Sequence, residues 1–239
     1  MKNKLQQFFW STIILALVAG MSGCVKGGAT VNVSPISYIS IINEAPYSPA
    51  ADIYFNGTLV TSAGGIAPGR FSNTYGQLKP GKYVVDFKKA GTDSVMAEIP
   101  STDFDTSAFS TIVLYNLAAD SSQLQAARII DDFSQVTTGY AYYRFFNLSP
   151  DVPAASLFLN NASQQTNRAP ADNITTSAAY DAFQSVSAAD YTVQIRNSNS
   201  DSVLCTALNV QLSTGYGYTI FLGGTAKTGY VANVLQAVF

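Results

Sequence analysis

One segment of the chain occurs twice. Residues 43–56, NEAPYSPAADIYFN, recur without a gap as residues 147–160, NLSPDVPAASLFLN, with both Asn, both Pro and the Ala-Ala pair in the same places. Two shorter segments repeat at a similar spacing: GTDSV at 91–95 matches NSDSV at 199–203, and TIVL at 111–114 matches TIFL at 219–222. The 239 residues therefore divide into two similar units of roughly 100 residues, a size that can bury its own core.

Short apolar runs follow one another from Ser37 onwards, and turn residues separate them at intervals of about ten residues. Asn56-Gly57 predicts a hairpin with a type I′ turn, which requires positive φ at both central residues. Tyr83, Val85 and Phe87 alternate with polar or smaller neighbours, so one face of that strand is expected to meet the core. Because no stretch keeps an apolar period near 3.6, helices should be at most a turn or two long.

These runs predict an all-β chain. The first unit has predicted strands near 37–43, 51–56, 58–62, 70–77, 82–89, 94–99, 109–117 and 124–131. The second restarts near residue 140, with predicted strands near 155–160, 176–186, 190–197, 202–211, 216–223 and 230–238, a long polar loop over 160–175 and a hairpin turn over 197–201. We therefore predict two tandem antiparallel β-sandwich domains of immunoglobulin-like form, residues 37–134 and 140–239.

The repeated proline pairs, Pro46/Pro49 and Pro150/Pro153, have a structural interpretation within such a sandwich. Proline cannot donate a hydrogen bond to a β-ladder, so it is disfavoured inside a paired strand. Each pair is therefore predicted to end the first strand of its unit and to route the chain to the opposite sheet.

The N-terminus has the layout of a secretory signal, predicted over residues 1–23. Lys2 and Lys4 precede an apolar run over residues 8–19, which is short for a membrane-spanning helix, although a retained N-terminal anchor is the alternative. The sequence Met21-Ser22-Gly23-Cys24 resembles the bacterial lipobox, a resemblance that implies acylation of Cys24 and anchoring to a membrane through its acyl chains. Residues 24–36 would then be the lipidated Cys and a flexible tether.

The residues after the lipobox bear on location and on redox chemistry. Val25 follows Cys24, with no Asp to resemble an inner-membrane retention signal, so outer-membrane anchoring is expected, on the periplasmic side or at the cell surface. Cys205 is the only other cysteine. It lies in a strand-like run, and we interpret it as a small core residue rather than a reactive thiol.

Composition argues against several kinds of chemistry. The chain has no histidine, which removes the commonest general base and metal ligand, and no Gly-x-Ser-x-Gly elbow. The close carboxylates, Asp103/Asp105 and Asp131/Asp132, are interpreted as turn and linker charges, with a bound Ca²⁺ as the less favoured alternative. With 13 basic and 15 acidic residues there is no cationic surface for nucleic acid. We predict no catalytic residue, no metal site and no cofactor.

The repeated segment also carries a family resemblance. Residues 147–160 resemble the hallmark run of the domain-of-unknown-function family 4397, and the first unit keeps Pro49, Asp52, Asn56-Gly57 and the strand GKYVV at 81–85. The two units depart from the pattern at different places: residues 44–47 replace Ser-Pro-Asp in the first, and Ser156 and Asn161 replace Asp and Gly in the second. The resemblance implies exported, often tandem, immunoglobulin-like modules of bacterial envelopes, and it implies no activity.

The expected function is a non-enzymatic binding or adhesion role in the cell envelope, with a glycan or a surface protein as partner. Tyr47, Tyr142 and Tyr180 are the candidate ligand-facing aromatics, although tyrosines of a β-protein also serve as half-buried strand residues. The alternative is a structural spacer, or an accessory subunit of a surface fibre or an outer-membrane import complex.

Overall fold

The computed structural model describes residues 34–120, 123–174 and 178–237. Pro35–Phe239 forms one compact unit. The predicted signal, Cys24 and most of the tether lie outside the described residues. Among the described residues, no helix has the length and hydropathy that crossing a bilayer requires.

The chain is all-β, as predicted. Over the described residues, the strands of the first half are β1 (Ser37–Glu44), β2 (Ala51–Phe55), β3 (Thr58–Leu59), β4 (Arg70–Phe71), β5 (Gly76–Leu78), β6 (Gly81–Lys89), β7 (Val95–Phe104), β8 (Phe109–Asn116) and β9 (Leu124–Asp131). Those of the second half are β10 (Ala141–Asn147), β11 (Ala155–Leu159), β12 (Ala162–Arg168), β13 (Gln184–Val186), β14 (Ala189–Asn197), β15 (Val203–Leu212), β16 (Gly217–Thr225) and β17 (Gly229–Ala237). A 3₁₀ helix, Pro170–Ile174, and one helical turn, α1 (Ala178–Asp181), precede β13.

The two halves have the same strand order, and each consists of two sheets. In the N-terminal sandwich (residues 37–131) the inner sheet has the order β4-β1-β8-β9, with β5 also pairing with β1, and the outer sheet has the order β3-β2-β6-β7. In the C-terminal sandwich (residues 141–237) the inner sheet is β13-β10-β16-β17 and the outer sheet is β12-β11-β14-β15.

One pairing in each sandwich departs from the predicted antiparallel pattern. β1 pairs with β8 and β10 pairs with β16 in parallel, whereas the other described pairs of strands are antiparallel. Parallel neighbours need a long crossover connection. The crossover includes four outer strands: after β1 the chain forms β2 and β3 of the outer sheet, adds β4 and β5 to the edge of the inner sheet, and forms β6 and β7 of the outer sheet before β8.

The proline and turn predictions are confirmed. β1 ends at Glu44 in an inner sheet and β2 begins at Ala51 in the outer one, and the second proline pair lies between β10 and β11 in the same way. Asn56 and Gly57 have φ values of 46° and 77°, as a type I′ turn requires. The Asn56 side chain also bridges this turn to β6, where its Nδ2 donates to Lys82 O and its Oδ1 accepts from Val84 N.

Three local predictions were wrong. The predicted loop over 160–175 contains β12, an edge strand whose polar sequence is compatible with exposed side chains and with hydrogen bonding to β11. The predicted strand over 176–186 is instead the alanine-containing turn α1 followed by β13, in line with the helix propensity of alanine. The predicted strand over 70–77 is two short strands, β4 and β5, that pair with opposite ends of β1.

Each sandwich has its own core between its two sheets. In the N-terminal sandwich Ile41 and Ile112 of the inner sheet pack in one cluster with Phe55 and Phe87 of the outer sheet. In the C-terminal sandwich an equivalent cluster includes Phe145, Ile220, Leu157 and Ile195. These residues are all buried, so each sandwich satisfies the size argument made from the repeat length.

A third core joins the two sandwiches. Its members come from the remaining faces of the two inner sheets, and they are Ile42, Val113, Tyr115, Ala127, Ile129, Phe146, Leu148, Phe221 and Leu235. The inner sheets are therefore buried on both faces, as the uniformly buried β10 illustrates. The outer strands β6 and β14 alternate between buried and more accessible positions. The four sheets stack in the order outer, inner, inner, outer.

Candidate functional site

The contact between the two inner sheets, which we call the seam, brings together polar groups from both sandwiches. Its apolar side chains form one buried cluster, against which Phe71 also packs: the ring of Phe71 meets that of Phe221 edge to face at 5.3 Å. Charged residues of the seam include Arg144 on β10, Asp131 at the end of β9 and Glu44 at the end of β1. Because these side chains are almost completely buried, each must be satisfied mainly by neighbouring protein groups.

Strand alternation explains why Arg144 lies in the seam. Tyr143 and Phe145 belong to the core of the C-terminal sandwich, so the intervening Arg144 and the next residue on that face, Phe146, point towards the N-terminal sandwich. The Arg144 side chain is 0% exposed. Its guanidinium lies against two aromatic rings, 4.8 Å from the centroid of Phe146 and 4.5 Å from that of Phe183, an arrangement that favours a cation.

Asp131, the last residue of β9, is the ionic partner of Arg144 across the seam. Arg144 Nη2 donates to Asp131 Oδ1, and Arg144 Nε donates to Thr219 Oγ1 at 2.9 Å. Asp131 Oδ2 accepts two further hydrogen bonds, from Thr111 Oγ1 at 2.8 Å and from the Tyr75 hydroxyl at 2.7 Å. The pair is thus hydrogen-bonded on both sides, a condition under which a buried ion pair can persist.

The Arg144 cluster corrects one interpretation made from the sequence. Asp131-Asp132 was interpreted as a pair of linker charges, but Asp131 is 4% exposed and is part of the seam. Asp132 does behave as a linker residue: its side chain accepts from Ser134 N at 2.9 Å, and hydrogen bonds from Ser134 lower the pKa of its carboxyl. The two residues differ because Asp131 is the last residue of β9 and its side chain lies in the seam, whereas Asp132 is the first residue of the linker.

The linker between the sandwiches is packed against the same end of the seam. Phe133 contacts the rings of Phe109 and Phe183 at centroid distances of 5.3 Å and 5.0 Å. A Cβ on Gly217 would approach Phe133 Cε1 to 2.9 Å, so glycine is required for this close contact. These contacts attach the first residues of the linker to both sandwiches.

Glu44 occupies another part of the seam, where β1 meets the β16–β17 hairpin. Its Oε1 accepts from Asn233 Nδ2 at 3.2 Å, and its carboxylate lies so close to β16 that a Cβ on Gly223 would be 2.5 Å from it. Burial raises the pKa of the Glu44 carboxyl to about 7, although a hydrogen bond with the backbone of Gly224 acts in the opposite direction.

A cleft with a volume of about 320 Å³ opens beside Glu44. It lies between two loops of the N-terminal sandwich and the β16–β17 hairpin of the C-terminal sandwich. The two loops, which we call the proline loops, contain Pro46 and Pro68. Its walls include Glu44, Pro46, Pro68, Gly69, Val231 and Asn233. It therefore combines apolar walls with a carboxyl and an amide, the mixture of groups found in sites for small ligands.

The three tyrosines predicted to face a ligand lie in different environments. Tyr47 follows β1 and is 37% exposed. Tyr142 is 7% exposed, and its hydroxyl is hydrogen-bonded to Thr137 of the linker, so it offers little surface to a ligand. Tyr180 is half-buried beneath the guanidinium of Arg168, which is 4.6 Å from the ring centroid.

The other predicted site features concern thiol and metal chemistry. Cys205 is free and half-buried, and it packs against the core of the C-terminal sandwich. Burial raises the pKa of its thiol to about 12, which keeps it in the less reactive protonated form. Among the described residues, no group of three or more His, Cys, Asp or Glu side chains is placed to hold a metal ion.

Sequence reasoning missed Arg144 and Glu44, although the sequence contains a sign of each. Strands buried on both faces read as continuous apolar runs rather than alternating ones. The runs SIIN before Glu44 and YYRFFN around Arg144 have this character. A charged residue within or directly after such a run is expected to be buried and paired, and that criterion would have identified Arg144.

Comparison with known proteins identifies a family. A family model described as "Domain of unknown function (DUF4397)" matches residues 37–158, about half of the chain. The match covers the N-terminal sandwich, the linker and the first strands of the C-terminal sandwich. A search of curated proteins found no match.

Removing one partner of the Arg144–Asp131 ion pair should lower the stability of the fold more than replacing both partners with apolar residues. We expect Arg144→Met and Asp131→Leu each to lower the free energy of unfolding of the full chain by about 3–5 kcal/mol, because each leaves a buried charge without its partner. The double variant Arg144→Met/Asp131→Leu should lose less than the sum of the single losses. Urea denaturation monitored by circular dichroism measures all three.

The matched control is Asp201→Asn, which removes the carboxylate of the exposed ion pair with Arg196. Exposed pairs contribute at most about 1 kcal/mol, so this variant should be close to the wild type. Strictly additive losses at Arg144 and Asp131 would contradict a direct coupling between them.

Glu44 should make stability depend on pH. Its folded-state pKa of about 7 lies above the ordinary value of 4.5, so the folded chain retains this proton more strongly than the unfolded chain. Stability is therefore lost as the pH rises from about 4.5 towards about 7, and the loss is complete above the folded-state pKa. Relative to Glu44→Gln, the wild type should lose roughly 3 kcal/mol over this range, as followed by urea denaturation.

The control for Glu44→Gln is Glu98→Gln, which changes an exposed carboxyl on β7 of the same sandwich. That variant should keep the pH dependence of the wild type. If Glu44→Gln also kept it, the carboxyl of Glu44 would not be the titrating group.

Proposed function

We propose that this chain, which belongs to the DUF4397 family of domains of unknown function, is a lipid-anchored, non-enzymatic binding protein of the bacterial cell envelope. In this proposal Cys24 carries the acyl chains, the following residues form a tether, and the stacked sandwiches bind a partner outside the cytoplasm. The partner class is a glycan or a surface protein.

The cleft beside Glu44 is the observation that carries the binding role. It is concave, it lies where loops of two sandwiches meet, and it combines apolar walls with a carboxyl and an amide. Such junctions are preferred places for ligand sites. The residues that would support catalysis are few, since the chain has no histidine and the thiol of Cys205 has a raised pKa.

The lipid anchor rests on the sequence. A basic start, an apolar run and the lipobox-like Met21-Ser22-Gly23-Cys24 follow one another in the order that bacterial lipoprotein processing requires. Two or three acyl chains on one cysteine hold a protein on a membrane stably, whereas a single chain binds marginally. The outer membrane is the proposed location, since Val25 rather than Asp follows the cysteine.

A second candidate function is a structural spacer or an accessory subunit of a surface fibre or import complex. The seam favours it, because a third core and a buried ion pair fix the two sandwiches against each other. A rigid block of this kind can set a distance between a membrane and another protein. This candidate predicts co-purification with an outer-membrane partner and no affinity for free sugars.

Acylation of Cys24 can be tested by metabolic labelling with radioactive palmitate in a bacterial host. The wild-type chain should incorporate label and partition with membranes, and Cys24→Ala should lose both properties because it lacks the acceptor thiol. Cys205→Ala is the matched control, since it removes the other cysteine, and it should be labelled like the wild type. An unlabelled wild-type chain, or a Cys24→Ala chain that remains in the membrane fraction, would contradict the anchor.

The binding role can be tested with the full chain in a detergent that has no sugar headgroup. A glycan array and a pull-down from envelope extracts should yield a specific partner, which the same chain unfolded in urea does not bind. If both remain blank at high micromolar concentration, the binding role fails. Recovery of an outer-membrane complex with a blank array would favour the spacer.

A further inference from the structure

The chemistry of the cleft beside Glu44 restricts what it can bind. Its carboxyl is buried on the wall of the cleft, and the described residues that line the cleft include no Lys or Arg. Wherever Glu44 is ionised, an anionic ligand would therefore meet a like charge without a compensating cation, which is unfavourable in a partly desolvated site. Acidic sugars, phosphates and carboxylates are poor candidates for this reason.

The walls of the cleft suit a ligand with both C–H and O–H groups. Pro46, Pro68 and Val231 provide aliphatic surface. Glu44 and Asn233 provide hydrogen-bonding groups, and they are already oriented by the bond from Asn233 Nδ2 to Glu44 Oε1. An amide offers both a donor and an acceptor, and a carboxyl can accept from hydroxyls. A cyclic polyol presents hydroxyls at its edge and C–H groups on its faces, so it matches this mixture.

A cationic amine is the competing ligand, because it would pair with the Glu44 carboxylate. Two features disfavour it. The carboxylate already accepts from Asn233, and a desolvated ammonium needs its three donors satisfied. The walls of the cleft are mainly aliphatic, and the described lining includes no aromatic ring that could face a cation.

We propose that this cleft binds one uncharged sugar unit of a glycan, with Glu44 and Asn233 accepting and donating hydrogen bonds to its hydroxyls and Pro46, Pro68 and Val231 contacting its C–H face. This assignment rests on the proposed binding role and specifies its site and ligand class. Both sandwiches contribute to the site, so it exists only where the seam is formed.

Two glycines allow a closely matched test. Gly69 lines the cleft and has φ +76°, and a Cβ there would meet no atom within 4 Å. Gly91 lies in the β6–β7 turn, has φ +73°, and a Cβ there would also meet nothing within 4 Å. Asparagine tolerates this left-handed conformation better than most residues. Gly69→Asn should therefore fill the cleft, and Gly91→Asn should impose a similar backbone cost elsewhere.

The measurement is saturation-transfer NMR on the full chain in a detergent without a sugar headgroup. The probes are neutral methyl glycosides of hexoses and N-acetylhexosamines, with methyl glucuronate and butylammonium as charged comparisons. We expect at least one neutral glycoside to bind the wild type and Gly91→Asn equally. Binding should be about tenfold weaker or worse in Gly69→Asn, which blocks the cleft, and in Glu44→Gln, which loses a charged acceptor.

Several outcomes would overturn the assignment: equal glycoside binding by Gly69→Asn and Gly91→Asn, preferential binding of glucuronate or butylammonium, or no glycoside binding at all. The glycan array separates these outcomes from failure of the proposed function. An array that is positive for the wild type and unchanged for Gly69→Asn places the ligand elsewhere and leaves the binding role intact. If the array, the pull-down and the glycoside panel are all blank, both the sugar assignment and the proposed binding role fail.

Discussion

The packing of the two inner sheets against each other is the constraint on which the rest of the structure depends. A β-sheet with two apolar faces must cover both, and here each inner sheet covers one face with its own outer sheet and the other with the inner sheet of the second sandwich. The result is a four-layer stack rather than two separately tumbling modules. The linker follows from this packing, since Phe133 is held among aromatic rings of both sandwiches.

Charged residues in this apolar contact give it a defined register. Hydrophobic surfaces alone are tolerant of sliding, whereas the buried guanidinium of Arg144 meets Asp131 and Thr111 of the other sandwich in only one relative placement of the two. A buried ion pair adds little net stability compared with a well-packed apolar pair, so specificity is the more natural physical role for this one. Glu44 has a different effect, because its raised pKa makes the same contact sensitive to pH.

The seam also creates the cleft that we assign to a ligand. The proline loops that route the chain between sheets in the N-terminal sandwich meet the β16–β17 hairpin of the C-terminal sandwich, and neither element forms the cleft alone. A chain without histidine, in whose described part no metal-binding cluster forms, can still bind through shape, aliphatic surface and a few hydrogen-bonding groups.

The sequence by itself determined that each unit is a strand-rich sandwich, and where its chain passes from one sheet to the other. Alternation, turn residues such as Asn56-Gly57 and the proline pairs are local features, and they act over a few residues wherever the unit is placed. Weakly patterned segments such as residues 160–175 were misassigned, because an edge strand is fixed by hydrogen bonds to its neighbour and not by its own side chains. Only the tertiary structure decided that the sandwiches stack, that Asp131 pairs with Arg144 and that a cleft opens beside Glu44. Those features depend on which surfaces meet, and the residues that form them are far apart in the sequence, so no local pattern predicts the contact.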